Sequence, residues 1–392
     1  MKHKNMAIAV AIGGIMLLLF LLLTTKKQQA AYAVVYKTPA AKTKPVVIGY
    51  VGGYRGNIHT DSIDVERLTH INYAFVDIKD NRAWLHNKTD DGNLKKLVAL
   101  KGKNPALKIL ISIGGWTWSK HFSDAVLSDT SRKKFAESAV AIVAKYKLDG
   151  IDIDWEYPGM QGDSNVYRPE DRANYTLMFR DIRSSLDSLS KIMHKKYLVS
   201  LAAGVSDEFL AHTDMGMVQQ YVDFINLMTY DFTDVKDTVA IHHTNLYPSP
   251  GAPKQRSVSL GVQLFEAAGV PAKKLVVGIA FYGHAIEMRS TDNNGLNRKA
   301  ARRVPVGGFT FINDSLVNKR GFVRFWDTAA HAPYLFNTAR KVFVSYDDEE
   351  SVKDKCRYAL QNGLAGVMFW EYFSDKKEYL LKAINNSFKH ND

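Results

Sequence analysis

The chain has 392 residues, 46% of them hydrophobic and 11% aromatic, enough for one large domain or two modest ones around a sizeable core. Its formal net charge is +12, yet the lysines and arginines are spread out, and no basic block points to nucleic acid. With one cysteine, Cys356, an intramolecular disulfide is excluded; the residue lies in a helical pattern from Ser351 to Asn362 and reads as core, not as a nucleophile.

The first segment stands apart. Lys2, His3 and Lys4 precede an apolar run from Met6 to Leu23, which Lys26 and Lys27 close. A positive region before an apolar one is an export signal. The run approaches the roughly 20 apolar residues that span a bilayer. Residues 1–33 are therefore expected to be a signal peptide, cut near Ala31-Tyr32-Ala33, or an uncleaved membrane anchor. Either way the rest is expected outside the cytoplasm, secreted, periplasmic or tethered. Residues 34–45, with Pro39 and Pro45 among Lys, Thr and Ala, read as a linker.

From Val46 onward, short apolar runs alternate with helical patterns. Strands are predicted at 46–50, 70–76 and 107–112. Phe135, Ala139, Ile142, Val143 and Tyr146 then repeat at helical spacing. The fourth strand is unusual: Asp149-Gly150-Ile151-Asp152-Ile153-Asp154-Trp155-Glu156-Tyr157-Pro158. With a period of two, Asp152, Asp154 and Glu156 share one side, and Ile151, Ile153 and Trp155 the other. Burying unpaired charge is expensive, and carboxylates this close cannot all ionise, so at least one should have a raised pKa. A carboxyl protonated near neutral pH suits a general acid. Three carboxylates could also hold a divalent cation through oxygen, or could line a solvated edge strand, although the alternating apolar residues speak against the edge.

Tyr175, Phe179, Ile182, Leu186 and Leu189 mark the next helix, and strands follow at 198–203, 224–230 and 275–282. Gly363 closes the helix before the last strand, 366–370. Eight strands separated by helices predict a (β/α)₈ barrel of mainly parallel strands. A doubly wound sheet is the rival, but no phosphate-binding glycine fingerprint follows the first strand. The predicted strand ends carry Tyr50, Phe75, Ser112, Glu156, Tyr230, Asp231 and Trp370, which suits a catalytic mouth. The long interval 285–344 is predicted to be a small α+β insertion that raises one wall of a groove. Its strands are read at 307–311, 321–326 and 341–344.

Asp149 to Glu156 resembles the D-G-x-D-x-D-x-E signature of glycoside hydrolase family 18, the chitinases. Ser112-Ile113-Gly114-Gly115 is similar to the family's S-x-G-G, and Met228-Thr229-Tyr230-Asp231 to its M-x-Y-D. Trp370 stands where the family places a tryptophan beneath the reacting sugar. Phe281-Tyr282-Gly283 and Tyr346-Asp347-Asp348 look like the flanks of its insertion domain. The resemblance runs from Val46 to the C-terminus, residues 46–392. One departure is His284, where the family often has Arg, and no separate carbohydrate-binding module follows the last strand.

The resemblance implies a retaining, substrate-assisted hydrolase of chitin or chitooligosaccharides, an exception to the usual pair of catalytic carboxylates. Glu156 would be the acid. Asp154 would hold the acetamido N–H, and Asp152 would share a proton with Asp154. Tyr230 would bond the acetamido oxygen. Tyr50, Phe75, Trp116, Met228, Asp231, Tyr282 and Trp370 would contact substrate, with Trp118 and Trp326 as further stacking candidates. Trp155, opposite the acids, should pack on helices. Two alternatives share the fold: a hydrolase of other N-acetylglucosamine glycans (the N-glycan core or peptidoglycan), and a lectin-like chitin binder with little turnover. No metal or cofactor is expected, since the histidines show no metal-ligand spacing. A monomer is expected.

Overall fold

The computed structural model describes residues 44–233 and 238–389. The predicted signal or anchor, and all of the linker but its last two residues, lie outside the described residues. Among the described residues, no helix is long and apolar enough to cross a membrane.

Eight parallel strands close on themselves. In chain order they are β1 (Val46–Gly52), β2 (His70–Lys79), β4 (Lys108–Gly114), β5 (Gly150–Asp154), β6 (Leu198–Gly204), β7 (Phe224–Met228), β8 (Leu275–Ala280) and β14 (Gly366–Trp370). The seam is double: Val47 of β1 pairs with Val367 of β14, and Gly49 with Ile71 of β2. Only β3 (Arg82–Trp84) departs from the barrel, as a short antiparallel hairpin partner of β2. The strands read as continuous apolar runs because both faces are covered. Outward residues such as Ile71, Ile111, Ile151 and Leu201 join the main core under helices Asp129–Tyr146 and Asp171–Met193. Inward residues Ile48, Tyr50, Ala74, Phe75, Val276 and Met368 form a separate core inside the barrel.

The helices begin where their sequences offer caps. Ser128 caps Asp129–Tyr146 by accepting from Ser131 N–H, and Asp348 caps Glu349–Gln361 in the same way. Trp155 is fully buried, its ring stacked 5.0 Å from Phe122 and tilted 5.7 Å from Tyr175.

Between β8 and β14 stands a five-stranded antiparallel sheet. Its strands are β9 (Gly283–Met288), β10 (Ala300–Val304), β11 (Phe322–Asp327), β12 (Ala332–Asn337) and β13 (Val342–Tyr346), in the order β10-β9-β13-β12-β11. One prediction fails here. Residues 307–311 do not form a strand; Phe309–Ser315 is a helix. Its buried residues Phe309 and Ile312, with Leu316 at its C-terminal end, stand at the i, i+3, i+7 spacing that a window ending at Phe311 cuts off.

Candidate active site

The mouth is built on β5. Asp152 lies inside the barrel, paired in register with Ser112 of β4 and Ser200 of β6. Its carboxylate is fully buried and surrounded by donors. Oδ2 accepts from Tyr50 O–H at 2.9 Å and Ser112 O–H at 2.7 Å; Oδ1 accepts from Ser200 O–H at 2.5 Å and Asn226 N–H at 3.2 Å. Burial still raises its pKa, but these four donors work against that rise.

Asp154 is treated in the opposite way. It too is buried, yet its Oδ1 has no hydrogen-bond partner among the described residues. Burial first, then the charges of Glu156 and Asp152, push its carboxyl well above the usual range. Asp152, by contrast, has two donors on one carboxylate oxygen and two on the other. Glu156 sits two residues past the strand end, half-buried, where Ser119 O–H bonds the Asp154 carbonyl and in turn accepts from Glu156 N–H at 2.8 Å. Burial pushes its carboxyl up to about 7.

Close approach of the backbone is built in at Gly114, whose φ is +109° and where a Cβ would lie 2.2 Å from the Asp154 carbonyl oxygen. The next residue, Gly115, donates its N–H to that oxygen at 2.7 Å. Asp149, the first acid of the stretch, belongs to the other end of the strand and is held by Lys101 at 2.6 Å and Lys195 at 2.9 Å.

Tyr230 is half-buried, and the only hydrogen bond its hydroxyl makes among the described residues is a long one, 3.8 Å to Met368 Sδ. Burial and the surrounding carboxylates keep this phenol protonated, so it is an available donor. Beside it, Asp231 takes a left-handed backbone (φ +54°) and accepts from Tyr282 O–H at 2.7 Å, with His284 Nε2 at 2.8 Å. The cleft walls would raise the Asp231 carboxyl, but its histidine neighbours hold it well below the usual carboxylate range. Of these, His284 is in bonding distance. His243 Nδ1 is 3.7 Å away, and burial pushes its pKa down to about 4, so it is a neutral neighbour.

The aromatic residues divide. Phe75 and Trp370 stack at 5.3 Å, and Tyr54 lies nearly parallel to both, at 6.4 and 6.3 Å, with Trp118 tilted against Tyr54 and Phe75. Trp370, Tyr282 and Met228 remain half-buried, and Trp116 is half-exposed with its edge on Tyr157. Tyr50 and Phe75 lie deeper than the other aromatic residues of the mouth. Both are buried, at 1% and 4% exposure; Tyr50 spends its hydroxyl on Asp152, and Phe75 underlies Trp370. Trp326 packs with Arg324 and His331 in the insertion, and none of its ring contacts reaches the barrel aromatics.

Sequence reasoning missed Tyr54, Ser119, Ser200, Asn226 and His243. Ser200 and Asn226 carried a signal, each being one polar residue inside an otherwise apolar strand. The set nearest to a metal site among the described residues is Asp231, His243 and His284. Its two imidazoles are stacked 4.4 Å apart and only 15° from parallel, so their in-plane lone pairs run side by side and do not converge on one ion.

Fold and site together define a barrel enzyme of the glycoside hydrolase class. More closely, the chain belongs to the glycosyl hydrolases family 18, whose family model matches residues 46–375. It is 35% identical over 416 aligned residues to chitinase A1 of Niallia circulans, covering 89% of this chain but 59% of that protein's length. Among solved structures it is 40% identical to a family 18 N-acetylglucosaminidase of Paenibacillus barengoltzii, with a TM-score of 0.82, over 88% of this chain and 99% of the other. Chitinase ChiA74 of Bacillus thuringiensis is 31% identical with a TM-score of 0.84, over 89% and 70%.

Proposed function

We propose that the chain hydrolyses β-1,4 links between N-acetylglucosamine units, in chitin or its oligomers, with retention and with the substrate's own acetamido group as nucleophile. The observation that carries this reading is the unpartnered Oδ1 of buried Asp154 between a saturated Asp152 and a protonated Glu156. A buried acceptor without a donor asks for one from the ligand, and an acetamido N–H supplies it. The hydroxyl of Tyr230 would hold the acetamido carbonyl in line with the anomeric carbon. Glu156 would give its proton to the leaving oxygen as the carbonyl oxygen attacks. Asp154 would then offset the positive charge of the oxazolinium-like intermediate. Water returning from the leaving-group side, deprotonated by Glu156, completes two inversions and leaves a β product. The similarity to chitinases supports the substrate class. The similarity to an N-acetylglucosaminidase over nearly all of its length favours a second reading, in which single sugars are released from a chain end. The enzyme would act outside the cytoplasmic membrane, as a monomer, released or tethered.

Products from a defined N-acetylglucosamine hexamer test both readings. Oligomers of intermediate size at early times mean internal cutting, and monosaccharide alone means release from the end. A fully deacetylated hexamer should be nearly inert, since no side chain replaces the missing carbonyl. An early α product, or rapid cutting of the deacetylated chain, refutes substrate assistance. No cleavage of either chain refutes the activity and leaves a lectin-like binder.

A further inference from the structure

Seven arginines lie in the insertion, residues 285–344, and five of them have partners. Arg289, Arg298 and Arg303 donate to the carbonyls of Ala300, Asn297 and Thr233. Arg302 pairs with Glu287, and Arg324 with Asp348 and Glu350, each at 2.7 Å. Arg320 and Arg340 are exposed, and their guanidinium groups have no partner among the described residues. Both line one cavity, of about 600 Å³. Its floor is apolar: Ala285 of β9, Val342 and Val344 of β13, Phe322 of β11 and Leu316 are all buried. Phe311 also lines it and stays 43% exposed. The one carboxylate in the lining is Glu287, and Arg302 already holds it.

This corner is held together from inside, and it is separate from the mouth. Asn337, 2% exposed, accepts the Arg340 N–H on Oδ1 and donates from Nδ2 to the Arg320 carbonyl, both at 2.9 Å. One buried amide thereby fixes two turns, each with an unpaired arginine. Along β9 the side chains alternate: Ala285 and Glu287 line the cavity, while His284 faces the other way, toward Asp231. Pockets for small ligands measure about 300–1,000 Å³. Guanidinium groups take phosphate or carboxylate through paired, charge-assisted hydrogen bonds. A chain of N-acetylglucosamine is uncharged and would leave both cations unmatched. A polyanion would match the cations but leave the apolar floor in water, which is unfavourable.

We propose that the cavity is a second binding site, for a small amphiphilic anion whose alkyl or aryl body covers the floor and whose phosphate or carboxylate meets Arg320 and Arg340. The ligand class follows from the two features together, since neither an anion nor an apolar body alone uses both. The site is independent of the proposed hydrolysis.

Titration calorimetry tests this with decyl phosphate, kept below its micelle concentration. The proteins are the parent, the double variant Arg320→Gln, Arg340→Gln, and Val306→Trp, which fills the cavity from the loop after β10. The parent should bind one molecule, and affinity should fall about tenfold or more when the two charges go. The tryptophan variant should lose binding with both arginines in place. Inorganic phosphate and polyphosphate carry the charge without the body, and decyltrimethylammonium the body without the charge; all three should bind the parent far more weakly. Equal affinity of the double variant and the parent overturns the proposal. So does a phosphate or a cationic amphiphile that binds the parent as tightly as decyl phosphate, a result that needs no variant to fold. Vesicles of phosphatidylglycerol and of phosphatidylcholine then separate the sources of the anion. Sedimentation with the first alone, lost in the double variant, means that a bilayer presents it; no sedimentation, with decyl phosphate bound, means a free amphiphile. Both results support the site. Hydrolysis of a chromogenic chitobioside should be the same in the double variant as in the parent, which shows an intact barrel and keeps failure of the site distinct from failure of the proposed activity.

Discussion

Asp152 and Asp154 are two residues apart on one strand, and their surroundings set them different tasks. Four donors tie Asp152 in place, whereas Asp154 keeps an open oxygen for a ligand. Ser200→Ala removes the 2.5 Å donor and leaves Asn226 alone on Oδ1. It should cost about 1–3 kcal/mol in denaturant unfolding and lower kcat more than it raises KM, because binding contacts stay intact. Glu156→Gln removes the acid, and general acid catalysis typically contributes about 10²–10⁴-fold, so kcat should fall by that order. In the parent, kcat/KM should decline as pH rises through about 7, where Glu156 loses its proton. The same shift has a sign for stability. Above the ordinary 4.5 the unfolded chain gives up this proton, while the folded chain holds it to about 7, so stability falls with rising pH across that window. The glutamine variant lacks this penalty. At pH values above about 7 it should be more stable than the parent, by at most about 3 kcal/mol, and the advantage should vanish in acid. The row of acids was legible from its period of two. Its donors were not, because Tyr50, Ser112, Ser200 and Asn226 come from four other strands, and only barrel closure brings them to one carboxylate.

At the scale of elements, the fold was readable wherever a strand is covered on both faces or a helix has one apolar side. The eight barrel strands meet the first condition, and Asp171–Met193 meets the second. The insertion was harder to read for identifiable reasons. Strand β12 contains Pro333, which demotes a run in sequence reading, yet the proline sits near the strand end opposite Trp326. Strand β10, Ala-Ala-Arg-Arg-Val, is an edge strand with no buried residue and hence no pattern. Just after the insertion, where the chain returns to the barrel, lies a buried ion pair. Lys355, on the helix Glu349–Gln361, reaches Asp347 at 2.6 Å, both fully buried. Asp347 also takes Ala280 N–H at the end of β8 and the Thr244 and Ser351 hydroxyls. Burial lowers the Lys355 pKa, and Asp347 opposes that shift. Lys355→Met would leave a carboxylate buried without its counter-charge, which typically costs about 3–5 kcal/mol. Denaturant unfolding should show that loss, and an unchanged midpoint would mean that Thr244, Ser351 and Ala280 suffice.

At the scale of the whole molecule, the barrel begins almost as soon as the described chain does: Val46 N–H already bonds the Ala365 carbonyl at 2.9 Å, at the seam between first and last strand. A chain starting at Lys44 should therefore fold and stay active, and aggregation would place the domain boundary earlier. The insertion bears on both substrate length and chemistry. As a groove wall alone, its removal would penalise long substrates and spare dimers. Its strands do more than form a wall. Strand β9 carries His284 to Asp231, and β13 carries Ser345, whose hydroxyl oxygen accepts the His243 N–H at 2.9 Å. The β9–β13 ladder runs from Gly283–Tyr346 to Glu287–Val342, so the positioning of Asp231 depends on the sheet being complete. Replacing residues 285–344 with a short loop should therefore lower kcat/KM on a chitobioside as well as on a hexamer, with circular dichroism showing that the barrel remains. Full activity on the dimer with loss on the hexamer would confine the insertion to the wall, and would mean that Asp231 keeps its place without the strand that holds His284.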